Sequence, residues 1–194
     1  MENDMARASL LLMSGSLRGA SYNRMLVAEA GRFFDGATVT ADLDMPLYNG
    51  DVEDRDGIPA QALQLHEQIA AADAVAISTP EYNQSLSGVL KNALDWVSRA
   101  TDNPWADKPV AIMSAAAGRA GGARAQYALR LALNPFQPRL LTGPEVMVAN
   151  PAAQFDDEHR LTSDLYRNTL EKLMTKLSAD IRRGQLPSAE TATG

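Results

Sequence analysis

The sequence predicts an α/β domain that is built on a doubly wound parallel sheet. Short apolar runs, the first of which begins at Ser9, alternate with segments of helical periodicity. These runs show no alternation of apolar and polar residues, as is typical of strands that are buried on both faces. Three of the runs are followed by loops of small and polar residues. A chain of 194 residues with 45% hydrophobic content can bury the core that this fold needs.

The strands are predicted where apolar and β-branched residues cluster. They lie at the run from Ser9, at Thr38–Leu43, at Ala74–Ile77, at Pro109–Met113 and, split by Gly143-Pro144, at Leu140-Leu141 and Glu145–Ala149. Five strands that alternate with helices favour right-handed crossovers and a three-layer sandwich. Their number suits the flavodoxin-like strand order 2-1-3-4-5.

The helices are predicted at Tyr22–Phe34, Pro59–Ala72, Leu86–Arg99, Gly122–Asn134 and Ser163–Arg183. Pro59 occupies the first-turn position that proline prefers, and apolar residues recur every three or four positions from Leu86 onwards. Gly184 ends the last helix. The polar stretch from Asp44 to Gly57 is interpreted as a long connection. One domain is expected over residues 1–184, with a disordered tail at 185–194.

The composition and the net charge of the chain exclude several kinds of active site and binding partner. The chain has no cysteine, so thiol catalysis and thiolate metal sites are excluded, and its two histidines lie far apart and near no motif. No metal site and no acid–base catalytic residue are therefore expected. A net charge of −6 argues against nucleic acid and anionic membranes as partners. Without an apparent signal peptide or an apolar run of about 20 residues, a cytoplasmic protein is expected.

The loop from Ser14 to Asn23 is the strongest candidate for a binding site. It joins a strand to a helix N-terminus, where backbone N–H groups and the helix dipole favour an anion. Ser16, Ser21 and Asn23 add neutral hydrogen-bonding groups, and Arg18 adds a positive charge. The loop matches neither a P-loop nor a G-x-G-x-x-G fingerprint. The alternative is an ordinary strand-to-helix turn that Ser21 caps.

The predicted strand order supports the binding interpretation. In that order the first, third and fourth strands are neighbours, and the crevice lies at the carboxyl ends of the strands. The three loops that follow them, Ser14–Asn23, Pro80–Ser85 and Ser114–Gly122, would therefore meet at one place. Taken alone, Pro80–Asn83 would be interpreted as a simple turn.

Four motifs together resemble the NAD(P)H-dependent FMN reductase family, which includes chromate and quinone reductases. They are Gly15-Ser16-Leu17-Arg18-x-x-Ser21-x-Asn23, Pro80-Glu81-Tyr82-Asn83, Leu90-Lys91-Asn92-Ala93-Leu94-Asp95-Trp96 and Gly118-x-x-Gly121-Gly122-x-Arg124. The resemblance covers residues 8 to 150. It implies bound FMN, NADPH or NADH as electron donor, a quinone-like acceptor, and a homodimer or homotetramer with the flavin near the subunit interface. It also implies two successive hydride transfers with ping-pong kinetics.

The resemblance also assigns residues to the cofactor. It gives Ser16, Arg18, Ser21 and Asn23 to the FMN phosphate, with backbone groups of Leu17 and Tyr22. It gives Glu81, Tyr82, Asn83 and Gln84, in the loop that Pro80 opens, to the flavin ring and ribityl chain. In the third loop the family often has a hydroxyl where this chain has Ala115-Ala116-Ala117. Contact there is expected from backbone groups, at Ala116 and Gly118, or from Ser114.

Other features are open to two interpretations. Lys91, Asn92 and Asp95 are expected to form a solvated helix face, and Trp96 and Trp105 to serve packing or an interface. The helix Gly122–Asn134 has more apolar surface than one sheet face covers, which favours a symmetric dimer. A flavodoxin-type electron carrier and a flavin-based redox sensor remain alternative functions, although Arg18 is unusual in a flavodoxin phosphate loop.

Overall fold

A computed structural model describes residues 7–184 of the chain, so the predicted tail at 185–194 lies outside the described residues. The strands are β1 (Ser9–Ser14), β2 (Ala37–Thr40), β3 (Ala74–Thr79), β4 (Pro109–Ala116), β5 (Arg139–Leu140) and β6 (Val146–Ala149). The helices are α1 (Tyr22–Arg32), α2 (Gly50–Asp56), α3 (Ala60–Ala71), α4 (Gly88–Val97), α5 (Ala123–Leu133) and α6 (Asp164–Gly184). None of these helices is both long enough and apolar enough to cross a membrane.

The strands form one parallel sheet in the order β2-β1-β3-β4-β5, which confirms the predicted flavodoxin-like order. The sixth strand, β6, also pairs with β4. β5 pairs with the first two residues of β4, Pro109 and Val110, and β6 pairs with its last four, from Met113 to Ala116. β5 and β6 are thus two halves of one edge position, and the predicted interruption at Gly143-Pro144 separates them.

Apolar residues of the central strands are buried on both faces of the sheet. Leu10 and Leu12 of β1 pack with α1 and α6 on one side, through residues such as Leu26 and Leu173. Leu11 and Met13 face the opposite cluster, which contains buried residues of α3, α4 and α5. This arrangement gives the three layers that the continuous apolar runs predict.

Two local predictions are wrong. β2 ends at Thr40 and not at Leu43, because the Asp42 side chain accepts a hydrogen bond from the Asp44 backbone N–H at 3.0 Å and so forms a turn. The connection from Asp44 to Gly57 contains the helix α2, which Asn49 caps by accepting from the Asp51 N–H. No residue of α2 is buried, so no apolar periodicity marks this helix in the sequence.

The expected solvated face of α4 is only partly solvated. Lys91 and Asp95 form an ion pair there, 2.6 Å long, between side chains that are each about half exposed. Asn92 is buried instead: its Nδ2 donates to the Pro46 carbonyl, and its Oδ1 accepts from the Tyr48 N–H. Trp96 Nε1 donates to the same Pro46 carbonyl at 2.7 Å. These bonds fasten the segment that precedes α2 onto α4.

Both tryptophans are packing residues. Trp96 and Trp105 have 0% of their surface exposed, which excludes the alternative that either ring lies at a subunit interface. On α5, by contrast, Tyr127 and Leu131 are 58% and 75% exposed, while Leu129 and Leu133 are buried against the sheet. The excess apolar surface predicted for this helix therefore exists, but it does not include a tryptophan.

Candidate functional site

A cavity of about 330 Å³ opens at the carboxyl edge of the sheet, where loops after four strands meet. Nine of the predicted site residues line it: Ser16, Arg18, Ser21, Tyr22, Asn23, Pro80, Glu81, Tyr82 and Ala116. The other lining residues are Ala20, Ala115, Ala117, Asn150, Pro151 and Ala152. The three predicted loops thus meet at one cavity, and a fourth loop joins them.

The β1–α1 loop and the first turn of α1 form one side of this cavity, with Ser16, Arg18 and Ser21 among its lining residues. Ser21 is the N-cap of α1, with extended backbone angles, and its hydroxyl accepts a hydrogen bond from the Asn23 N–H at 3.2 Å. The cap interpretation of Ser21 is therefore correct, and the loop still faces the cavity with Ser16 and Arg18. Arg18 is exposed, so its guanidinium is accessible to a ligand. A helix N-terminus with one cation beside it suits a phosphate group.

Asn23, in the first turn of α1, bonds to the ends of β3 and β4 beside the cavity. Its Nδ2 donates to the Ala115 carbonyl, and its Oδ1 accepts from the Ala115 N–H and from the Ser78 hydroxyl, each at 2.9 Å. The residue is 3% exposed, and three of its side-chain hydrogen-bonding positions are already engaged. Asn23 therefore holds the start of α1 and the end of β4 in register beside the cavity.

The β3–α4 loop presents Tyr82 to the cavity through a tight turn. The N–H groups of Tyr82 and Ser85 each donate to the other residue's carbonyl, at 3.1 and 3.0 Å, and the two residues between them have positive φ. These residues, Asn83 and Gln84, have φ of 49° and 65°, as a type I′ turn requires. They do not line the cavity, whereas the largely exposed Tyr82 ring does.

Glu81 connects this loop to the next one. Its Oε2 accepts from the Arg124 backbone N–H at 3.0 Å, and its Oε1 lies 3.6 Å from the Arg124 guanidinium. The carboxylate thus lies at the N-terminus of α5, where the helix dipole stabilises a negative charge. Glu81 therefore lines the cavity and also holds two of its walls together.

The β4–α5 loop contributes a wall of small residues, Ala115 to Ala117. Ser114 does not reach the cavity, because it is fully buried, donates to the Gly121 carbonyl at 2.6 Å and accepts from Gln126. Gly118 and Leu17 are also not among the lining residues. On this side the cavity is therefore lined by the three alanines, and both backbone groups of Ala115 are bonded to Asn23.

The fourth wall was not expected from the sequence. Asn150, Pro151 and Ala152 follow β6 and lie at the same edge of the sheet as the other loops. Asn150 adopts a left-handed conformation with φ of 44°, and its side chain does not cap the short helix that follows. An Asn-Pro pair directly after the last strand is the signal that could have identified this wall.

Comparison with known proteins gives consistent matches over most of the chain. Residues 8–153 match the family model described as NADPH-dependent FMN reductase. An NAD(P)H-dependent FMN reductase of Pseudomonas aeruginosa is 44% identical over 90% of this chain and 95% of its own length. A quinone reductase of Escherichia coli is 38% identical over 89% of this chain and 93% of its own.

A solved structure agrees with these sequence matches. The flavoenzyme FerB of Paracoccus denitrificans, described as an NAD(P)H:(acceptor) oxidoreductase, superposes with a TM-score of 0.81 at 29% identity. The match covers 91% of this chain and 98% of that one.

Proposed function

Because the chain belongs to the NADPH-dependent FMN reductase family, we propose that its cavity holds FMN and that the protein reduces quinones with NADPH or NADH. Membership confirms the resemblance carried by the four motifs, and it makes the protein an oxidoreductase. FMN, two-electron transfer and a quinone-like acceptor belong to one mechanism, in which donor and acceptor use the same cavity in turn.

The lining of the cavity at the N-terminus of α1 is the observation that carries this proposal. Ser16, Arg18 and Ser21 line it at the N-terminus of α1. One cation and one helix N-terminus match a single phosphate monoester, which is the terminal group of FMN. FAD carries a second phosphate and an adenosine beyond the FMN phosphate, and the residues that line the described cavity include no cation besides Arg18.

The opposite side of the cavity suits a flat aromatic ring. Pro80 and Tyr82 provide apolar and aromatic surface, and the short side chains of Ala115, Ala116 and Ala117 leave room beside it for a flat ring. When bound, FMN supplies the redox chemistry, accepting a hydride from the nicotinamide and passing two electrons to the acceptor. The chain's residues bind and orient the reactants, and we assign no residue a role as acid or base.

Names of the relatives support the substrate class. The Escherichia coli relative is a quinone reductase, and a relative in Burkholderia is a 2-hydroxy-1,4-benzoquinone reductase, 34% identical over 89% of this chain. A quinone is flat and can occupy the same ring-shaped space as the nicotinamide. One cavity can therefore serve both reactants in succession.

We propose that two copies of the chain associate through α5. Tyr127 and Leu131 are spaced four residues apart and so lie on one face of the helix, and both are exposed. Arg124, one turn before them, contacts Glu81 in the cavity wall. A symmetric contact on this face would place the cavity near the interface.

Two measurements test the proposed function. Purified protein is loaded with FMN, its visible absorption spectrum is recorded, and the oxidation of NADPH and NADH is followed with and without 1,4-benzoquinone. We expect flavin bands at one FMN per chain and oxidation that the quinone accelerates. Much tighter binding of FAD than of FMN would contradict the cofactor assignment. An FMN-loaded protein that oxidised neither donor would leave an electron carrier or a sensor as its function.

A further inference from the structure

The fourth wall of the cavity is the start of a longer, self-bonded segment. Asn150 to Ala152 line the cavity, and the Gln154 N–H donates back to the Pro151 carbonyl at 3.0 Å. Residues 154–162 then form a hairpin-like loop in which Phe155 bridges Leu161. The Thr162 N–H closes it by donating to the Gln154 carbonyl at 2.8 Å. A displacement of this hairpin would therefore displace the wall.

The hairpin is fastened to α1 beside the cavity. Phe155 stacks on Tyr22, with ring centroids 5.8 Å apart and an interplanar angle of 29°. Tyr22 is the first residue of α1 and itself lines the cavity. Leu161 is buried in the core cluster that contains residues of α1 and α6. Aromatic stacking and burial thus hold the base of the hairpin against the helix.

An ion pair with a buried carboxylate is a further contact between the hairpin and α1. Arg160 Nε donates to Glu29 Oε1 at 2.7 Å, and Glu29 is 1% exposed. Arg32, on the same helix as Glu29, donates to the same oxygen. A buried carboxylate without such partners destabilises the folded protein. The conformation in which both arginines contact Glu29 is therefore favoured. Of the two, Arg160 is the one that links α1 to the hairpin.

We propose that Arg160 is a positioning residue for the cofactor cavity. Its ion pair with Glu29 holds the hairpin on α1 and thereby fixes Tyr22 and Asn150 as the wall against which the bound cofactor packs. Asn150 is then a further cofactor-contacting residue, because it is exposed and lines the cavity. The inference rests on the proposed function for the identity of that cofactor, FMN.

Loss of this anchor should weaken FMN binding without removing any group that touches FMN. Without the anchor, the wall would sample several arrangements, of which one binds FMN. The apparent affinity is then the intrinsic affinity multiplied by the fraction of molecules that have this arrangement. Because the Phe155–Tyr22 stacking and the burial of Leu161 still hold part of the wall, the loss should be moderate, and Arg160→Ala should raise the Kd for FMN by about fivefold.

Arg32→Ala is the matched control. It removes the other partner of the same carboxylate and leaves the hairpin tethered, so its Kd for FMN should stay within about twofold of the wild-type value. Arg160→Lys keeps the charge and should restore part of the affinity. FMN is titrated into each ligand-free protein, and the loss of flavin fluorescence gives the Kd. Equal losses in Arg160→Ala and Arg32→Ala, or no loss in Arg160→Ala, would overturn the proposal.

A double-mutant cycle tests whether Arg160 acts through the wall. Asn150→Ala should by itself raise the Kd for FMN. Adding Arg160→Ala to that variant should then raise the Kd by a smaller factor than Arg160→Ala does in the wild-type protein. Full additivity of the two losses would show that Arg160 does not act through Asn150.

Hydrogen exchange on the ligand-free protein tests the anchor without FMN. Amides of residues 150–162 should exchange faster in Arg160→Ala than in wild-type protein or Arg32→Ala. Unchanged exchange in that segment would refute the anchoring role. If wild-type protein bound no FMN, the proposed function would fail, and the exchange rates would still decide whether Arg160 holds the wall.

Discussion

Asn23 and Ala115 are 92 positions apart in the sequence, yet the side-chain amide of Asn23 pairs with both backbone groups of Ala115. The pair joins the start of α1 to the alanine wall, so these two sides of the cavity are held together. Ser78, at the end of β3, donates to the same amide oxygen. The edges of three neighbouring strands are thus fixed by one buried side chain.

Asn23→Asp should weaken FMN binding by about tenfold or more, because a carboxylate cannot donate to the Ala115 carbonyl, and an unpaired buried group costs about 1–3 kcal/mol. Asn92→Asp is the control, since Asn92 is also a buried amide with two bonds to backbone groups, at Pro46 and Tyr48. The control should lower the unfolding midpoint but leave the Kd for FMN unchanged. Equal changes in Kd for the two variants would contradict a local role of Asn23.

Arg18→Ala should raise the Kd for FMN roughly ten- to a hundredfold, because a charge-assisted hydrogen bond contributes about 1.5–3 kcal/mol. The unfolding midpoint should change little, since Arg18 is exposed. Arg24→Ala removes an equal charge from the same region, outside the cavity lining, and should leave the Kd almost unchanged. An unaltered Kd in Arg18→Ala would show that its guanidinium faces solvent only.

FMN affinity should fall as the pH drops below about 6, because the phosphate monoester then takes up a proton and loses half of its charge. Both the N-terminus of α1 and the Arg18 guanidinium attract the phosphate dianion, so a lower charge on the phosphate weakens both attractions. Arg18→Ala should show a smaller pH effect than the wild-type protein. Titrations at several pH values check this, and identical pH dependence in both proteins would argue against an Arg18–phosphate contact.

Leu131→Glu should convert the proposed dimer to a monomer, because it places a charge on the exposed apolar face of α5. Leu165→Glu is the control, since Leu165 on α6 is 71% exposed, close to the 75% of Leu131. Light scattering at micromolar concentration distinguishes the outcomes. A wild-type monomer, or a dimer that survives Leu131→Glu, would remove α5 as the interface.

Steady-state kinetics should follow a ping-pong pattern, since one cavity must serve donor and acceptor in turn. Double-reciprocal plots of NADPH oxidation at several quinone concentrations should then be parallel. Intersecting lines would mean that both reactants bind together, and a second binding region would be needed.

The sequence predicted the sheet order and three of the four cavity walls because buried strands and small-residue loops have strong local signatures. α2 was missed since it buries nothing, and its stability comes from Asn49 and from contacts such as the Arg99–Glu53 ion pair. The burial of Asn92 depends on Pro46, 46 positions away, which no local pattern encodes. The fourth wall has a local signal, the Asn150-Pro151 pair after β6, but the ion pair beside it joins Arg160 to Glu29, 131 positions away, and no local pattern encodes that contact.

The burial of both tryptophans has a practical consequence. Indole emission moves to shorter wavelength when the ring leaves water, and Trp96 and Trp105 are already shielded within one chain. Association of two chains through α5 would therefore leave the emission maximum unchanged, whereas unfolding would shift it to the red. The chain thus carries an intrinsic optical probe of unfolding that does not respond to assembly, so the two processes can be followed separately in every variant.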